Sequence, residues 1–289
     1  MMETQERAYA KLNISLDVLG LLPKGYHEMS MVMQSISLWD DVGISLNDTG
    51  LICCRSNAAF LPSDEGNIAV KAAKAFFAAA GMEGAGAEIS LTKRIPTCAG
   101  MGGGSSDGAA VLRAMNRLCG SRFTRRELET IGASVGSDIP FCVAGGTQLA
   151  TGTGTTLEDL PPMPHCFILV CKPSFAIRTP ELFAKIDSRR SRLHPDTAGI
   201  LEGIRQGDVE SIARRMYNVF EDVLPRSCRD IGRLKSLLLE HGALGSVMTG
   251  TGSALFGVFA DEATAEKALI EIKKECPEAW LTQPVGKLM

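Results

Sequence analysis

The sequence predicts a two-domain protein of the α+β class. Its 289 residues exceed what one small core needs, so two domains of ordinary size fit best. Strand-like text of period two alternates with helix-like text of period 3.6 along the chain. The stretch "EDLPPMPH" (158–165) places three prolines in four residues directly before the strand-like "CFILVCK". The boundary therefore falls near residue 160, with domains over 1–160 and 161–289.

Element by element, the first domain opens on "RAYAKLNISLDVLG" (7–20). Ala8, Ala10, Leu12, Ile14, Leu16 and Val18 share one parity, which predicts a strand with one buried face and puts Lys11 and Asn13 on the opposite, polar face. Pro23 and Gly25 punctuate a turn, and "SMVMQSISLWDDVGISL" predicts one or two further strands. "DEGNIAVKAAKAFFAAAG" reads as an amphipathic helix, because Ala69, Ala72, Ala73, Phe76, Phe77 and Ala80 recur at i, i+3, i+4 and Gly81 stops it. "AEISLTKRIP" is a strand leading to a glycine-rich loop, and residues 106–120 form the next helix. Thr124 and Glu127 make a capping box for another. "IPFCV" reads as a strand. In the second domain helices are predicted near 196–205, 208–216, 227–241 and 261–274, with strands at "GSVMTG", "ALFGVFA" and 279–284.

Composition narrows the function classes. Apolar residues are 45%, charged residues 22% and the net charge is −3, so there is no electrostatic footprint for nucleic acid or an anionic membrane. The basic clusters Arg125–Arg126 and Ser188–Arg192 are too short for one and read as solvated surface. No apolar run approaches the ~18 residues that span a bilayer, and no apolar core follows a basic start, which predicts a cytoplasmic protein. The nine cysteines form no CxxC pair and no zinc-like spacing with the four histidines, so buried, reduced thiols are expected.

The stretch "PTCAGMGGGSSDG" (96–108) carries the chemistry. Glycine is costly to order, so Gly100 and Gly102–Gly104 ahead of a helix predict bare backbone N–H groups close to a ligand. It is not a P-loop, which needs GxxxxGK[ST], and a dinucleotide fingerprint fails at Ser105 where the third glycine belongs. "GSSDG" (104–108) matches GxSxG with Ser106 as the nucleophile of a serine hydrolase, but the glycine run separates that serine from the strand which should launch it. A flexible linker would need neither the proline entrance nor the helix that follows. What remains is a loop whose amides, with those of the first helical turn at Ser105–Asp107, converge on an anion such as phosphate.

These segments resemble the GHMP kinases. "PTCAGMGGGSSDGAA" is similar to that family's second signature, with Met101 in place of the usual leucine. "AKLNISLDVLG…KGYHEM" and "MTGTGSALFG" (248–257) are similar to its first and third motifs. "GSDIPFCVAGGTQLATGTG" (136–154) is similar to the stretch carrying its aspartate. Only the turn before "GYH" departs, where Leu21, Leu22 and Lys24 replace polar or acidic residues.

The resemblance implies an N-terminal ribosomal-protein-S5-like domain and a C-terminal ferredoxin-like domain with the active site in the cleft between them. It implies transfer of the ATP γ-phosphoryl group to an alcohol, within a branch whose substrate carries cytidine diphosphate and serves the non-mevalonate isoprenoid pathway. Asp138 would be the general base and Lys11 its partner. Pro96, Thr97, Cys98, Ala99, Gly100, Met101, Gly102, Gly103, Gly104, Ser105 and Ser106 would bind ATP, with Asn67 near the adenine. Asn13, Tyr26, His27 and Phe183 would bind the substrate, Tyr26 and Phe183 by stacking on the base and His27 by hydrogen bonding. Mg²⁺ is implied at the phosphates, with Ser105 or Ser106 as its protein contact. The expected partner is a small molecule, without nucleic acid or membrane, for a monomer or homodimer. A mevalonate- or homoserine-type kinase, a catalytically silent relative and the serine hydrolase are the alternatives.

Overall fold

A computed structural model of the chain describes residues 3–189 and 193–289, without the side chain of Lys24. Residues 190–192 of the predicted surface cluster therefore lie outside the described residues, as does the side-chain part of the Lys24 departure.

Two long strands, β1 (Glu3–Leu21) and β2 (His27–Asn47), pair antiparallel across the short turn Pro23–Gly25. The second is one strand where one or two are predicted. Along its other edge β2 pairs with β4 (Gly86–Thr92) and with β5 (Thr147–Gly152). β3 (Ile52–Ser56) adds to β4, and β6 (Thr156–Asp159) to β5. The short β5 and β6 are not legible in the sequence. Helices α1 (Ile68–Ala80), α2 (Gly103–Leu118), α3 (Arg125–Ala133) and α4 (Ile139–Ala144) complete this half. The α1 stripe is buried as its spacing predicts, Gly81 caps it in the left-handed region, and Thr124 and Glu127 form the capping box of α3.

Two expectations are corrected here. The period-two pattern predicts that β1 has one polar face, yet Lys11, Asn13, Ser15 and Asp17 are all at most 4% exposed. Each face of the strand meets another layer. A bulge between Asn13 and Ser15 shifts the pairing register, so Ala10, Leu12 and Ile14 join one core while Leu16 and Val18 join the other. "IPFCV" is a helix, not a strand. Its residues are buried all round, which erases alternation as a signal, and Pro140 sits in the first turn where its missing N–H costs nothing. Arg113, also buried, ties α2 to this frame by donating to Glu6, to the Arg7 carbonyl and to the Cys142 carbonyl.

The second half holds β7 (Phe167–Cys171), α5 (Thr179–Ser188), α6 (Thr197–Gln206), α7 (Val209–Arg215), the two-residue β8 (Tyr217–Asn218), α8 (Arg229–Glu240), β9 (Gly245–Met248), β10 (Leu255–Phe259), α9 (Glu262–Glu275) and β11 (Ala279–Thr282). Its sheet has the order β11-β7-β10-β9, all antiparallel. With α8 and α9 between those strands, this is the ferredoxin-like arrangement.

Sheet membership changes between β6 and β7, but the halves are laced together. β8 pairs with β1 of the first sheet, and Leu16, Leu169, Phe220 and Met248 share one apolar cluster. Beyond β11 the chain returns to the first half. Gln34 donates to the Val285 carbonyl, the Val285 N–H donates to Ser35, and the Leu288 N–H donates to Ala144. The nine cysteines are unpaired. Six are buried as expected, but Cys119 is half-buried and Cys53 and Cys98 are exposed, because β3 is an edge strand and Cys98 lies on the glycine loop.

Candidate active site

The glycine loop is held open for a ligand by its backbone. Gly100 and Gly102 take φ of +74° and +67°, and α2 starts at Gly103 with no side chain capping its first amides. Those amides and the helix dipole face outward as an anion site. Gly100 serves a second purpose. A Cβ there would lie 2.2 Å from the Thr249 carbonyl oxygen, so the "TGTGSA" turn of the second half packs directly on the loop. The Thr249 hydroxyl donates to the Gly100 carbonyl at 3.2 Å, and the Ala254 N–H donates to Ala99.

Beneath this junction the Lys11 Nζ lies 3.7 Å from Asp138 Oδ2 and donates to Asn13 Oδ1 at 2.8 Å. Asp138 is the N-cap residue of α4, yet its side chain makes no capping bond and stays 34% exposed. A carboxylate left unused at a helix end, beside a buried ammonium, is available to accept a proton from a bound group. Asn13 departs from its predicted contact with substrate. It has no exposed surface, and its Oδ1 accepts from Lys11 and from the Gly250 N–H at 3.0 Å, so it fixes Lys11 and the second glycine turn instead of facing the cleft.

Tyr26, His27 and Phe183 come together farther along the cleft. Tyr26 is 61% exposed. The His27 ring lies against Phe183, centroids 4.4 Å apart, and its Nε2 is 2.8 Å from Asp187 Oδ1. Phe183 in turn meets the edge of Phe220. Phe183 and Asp187 are one helical turn apart on α5, which is how one helix holds both the face and the edge of the imidazole.

Two cavities meet at the glycine loop. One, of about 280 Å³, is walled by Pro96–Gly104 together with Asn67, Lys93 and Asp107. The other, of about 860 Å³, runs from Tyr26, His27 and Phe183 to Lys11 and Asp138. Gly100 and Gly102 belong to both walls. Asn67 is the N-cap residue of α1. Its Oδ1 caps α1 through the Ala69 N–H, and the residue also stands in the smaller cavity's wall.

Ser106 is not a nucleophile. It is 1% exposed, its hydroxyl donates to the Tyr9 carbonyl at 2.6 Å, and it sits in the first turns of α2 where GxSxG would require a sharp turn after a strand. Ser106→Ala is expected to cost about 1 kcal/mol of stability and leave turnover within about twofold, checked by denaturant melts and steady-state rates. Ser105 is half-buried in the first turn of α2, and no capping bond uses the amides beside it. Among the described residues no three His, Cys, Asp or Glu side chains gather as a metal site.

One cluster at the smaller cavity was not legible in the sequence. Lys93 Nζ is 2.5 Å from both Asp40 Oδ2 and Asp107 Oδ2, and the Ile95 N–H donates to Asp40 Oδ1 at 2.8 Å. Burial holds the Asp107 carboxyl well above the usual carboxylate range, against the pull of Lys93 and with repulsion from Asp40 adding to it. Burial alone would pull the Lys93 ammonium down, but the two carboxylates outweigh it and leave it raised. The three residues come from β2, the end of β4 and α2, so no local spacing connects them.

Residues 67–146 match the family described as GHMP kinases N terminal domain, and residues 200–278 match GHMP kinases C terminal. A relative from Lachnospira eligens named 4-diphosphocytidyl-2-C-methyl-D-erythritol kinase is 39% identical over 279 residues, covering 96% of each chain. One of the same name from Clostridium acetobutylicum is 38% identical, over 96% of this chain and 99% of its own. A crystal structure of 4-(cytidine 5'-diphospho)-2C-methyl-D-erythritol kinase is similar at a TM-score of 0.82 and 28% identity, covering 98% of this chain and all of that one. A homoserine kinase from Cytophaga hutchinsonii shares the fold at a TM-score of 0.76 and 20% identity, over 99% of this chain and 95% of its own.

Proposed function

The chain belongs to the GHMP kinases, and from that premise we propose that it transfers the γ-phosphoryl group of ATP to the 2-hydroxyl of 4-diphosphocytidyl-2-C-methyl-D-erythritol, a step of the non-mevalonate isoprenoid pathway. It is an ATP-dependent kinase of a small molecule. The observation that carries the finer reading is the junction of the two cavities, where Gly100 and Gly102 are shared and Lys11 and Asp138 stand at the mouth of the larger one.

In this reading ATP occupies the smaller cavity with its phosphates against the amides of Gly102–Ser105 and the N-terminus of α2. The alcohol occupies the larger one, its cytosine against Tyr26 and the His27–Phe183 pair. As the hydroxyl oxygen bonds to the γ-phosphorus, its proton passes to Asp138 and the bond to the ADP oxygen breaks. Lys11, held by Asn13, compensates negative charge on both the carboxylate and the attacking oxygen. Ser105 would be the protein contact for Mg²⁺, which would neutralise charge on the phosphates. Ser106 is withdrawn from that role by its bond to Tyr9. Residues 1–160 and 161–289 remain the two functional halves in this reading, with the segment after β11 contributing to the first.

A coupled ADP-release assay tests the substrate. Release that depends on the cytidine alcohol, and not on mevalonate or homoserine, is the expected result; release with either of those two and none with the cytidine alcohol would overturn it. Tyr26→Ala is expected to raise KM for the cytidine alcohol by about tenfold, the worth of one lost stacking contact, with KM for ATP unchanged. Equal weakening of both substrates would remove Tyr26 from the cytosine site.

A further inference from the structure

One buried amide holds the glycine turn that reaches the Lys11–Asp138 pair from the second half. Asn218, in the two-residue β8 that pairs with β1, is 1% exposed. Its Nδ2 donates to the Met248 and Gly250 carbonyls, each at 2.8 Å, and its Oδ1 accepts from the Phe220 N–H at 3.0 Å. Two carbonyls on one side and an N–H on the other admit a single orientation of the amide. Aspartate there would set a carboxylate against both carbonyls, and an apolar side chain would leave them without a donor.

The two carbonyls bracket the one N–H of the turn that matters to the site. Between them lies the Gly250 N–H, which donates to Asn13 Oδ1 at 3.0 Å, and the same oxygen accepts from the Lys11 ammonium at 2.8 Å. Gly250 sits at a φ of +55° and has no side chain to restrain its backbone, so its neighbours must do so. Asn218 clamps the carbonyls before and after that N–H, and Glu221 Oε1 accepts from the Met248 N–H at 2.7 Å. Without the Gly250 donor nothing in the turn would keep the Asn13 oxygen on this side, and an amide turned over would set Nδ2 against the Lys11 ammonium, donor to donor. Resting on the reading of Lys11 and Asp138 as the catalytic pair, we propose that Asn218 is a positioning residue for phosphoryl transfer, which acts through Gly250 to keep Asn13 in the orientation that anchors Lys11 beside Asp138.

A double-mutant cycle on kcat tests this, with Asn218→Ala and Asn13→Ala made singly and together in the full chain. Both substrates are saturating, which keeps the contact to Phe220 in the substrate cavity wall out of the readout. Asn218→Ala is expected to lower kcat about tenfold in the unaltered protein and less than about twofold once Asn13 is alanine, because the link it acts through is then gone. A merely structural role would lower stability and reduce kcat by the same factor in both backgrounds. That result, or an unchanged kcat in Asn218→Ala, overturns the proposal while leaving the catalytic pair in place. An unchanged kcat in Asn13→Ala would instead overturn the reading that Lys11 must be held, and the proposal with it. Hydrogen exchange at the Gly250 amide of the unaltered protein depends on no variant folding. Protection within about tenfold of the β10 amides is expected, and faster exchange through local opening of the turn overturns the proposal whatever the variants do.

Discussion

Asp138→Asn is expected to lower kcat by about a thousandfold while KM for ATP stays within about threefold. The substitution keeps size and shape but removes the carboxylate that the proposed mechanism uses as proton acceptor, while Lys11 is a donor and Asn13 is engaged by Lys11 and Gly250. It should not disturb the fold, because the Asp138 side chain caps nothing and is 34% exposed. Steady-state rates with saturating ATP and cytidine alcohol, alongside a thermal melt, check both parts. A kcat within about tenfold of the original would leave proton transfer to solvent and take Asp138 out of the mechanism.

The second large effect concerns contact between the halves. Gly100→Ala places a methyl group 2.2 Å from the Thr249 carbonyl oxygen, at a φ of +74°. Conformational strain alone costs about 1 kcal/mol. The clash is with backbone on one side and the glycine loop on the other, so relief requires the two motifs to part. A total loss of about 3 kcal/mol or more is expected, together with weakened ATP binding as the loop amides are displaced. Gly120→Ala is the control. It has a φ of +76° and open space, so it isolates the strain. Urea denaturation of both variants, with ATP titrations, separates the effects, and equal destabilisation would mean that the loop yields without penalty.

Where a signal is local, the sequence reports it well. The helical stripe of α1, the capping box of α3 and the glycine loop each depend on residues within a few positions of one another, and each is found where its pattern predicts. Burial on all sides defeats periodicity. Lys11 and Asn13 look like a solvated strand face, but Lys11 is covered by the glycine loop and Asp138 and Asn13 by the turn at Thr249–Gly250, and "IPFCV" carries strand composition into a helix. The candidate site divides the same way. Lys11 and Asp138 are 127 positions apart and come from the resemblance to a family; the residues between them imply nothing about their 3.7 Å approach. The Asp40–Lys93–Asp107 cluster had no motif to announce it, because its members belong to three elements that meet only in the folded chain.

The segment after β11 has a consequence for how the molecule is made. Its hydrogen bonds to Gln34, Ser35 and Ala144 close over strands and helices that leave the ribosome long before it does. The turn at Thr249 reaches the glycine loop only late in translation too. A nascent chain paused after its first half therefore has the glycine loop without the turn that braces it.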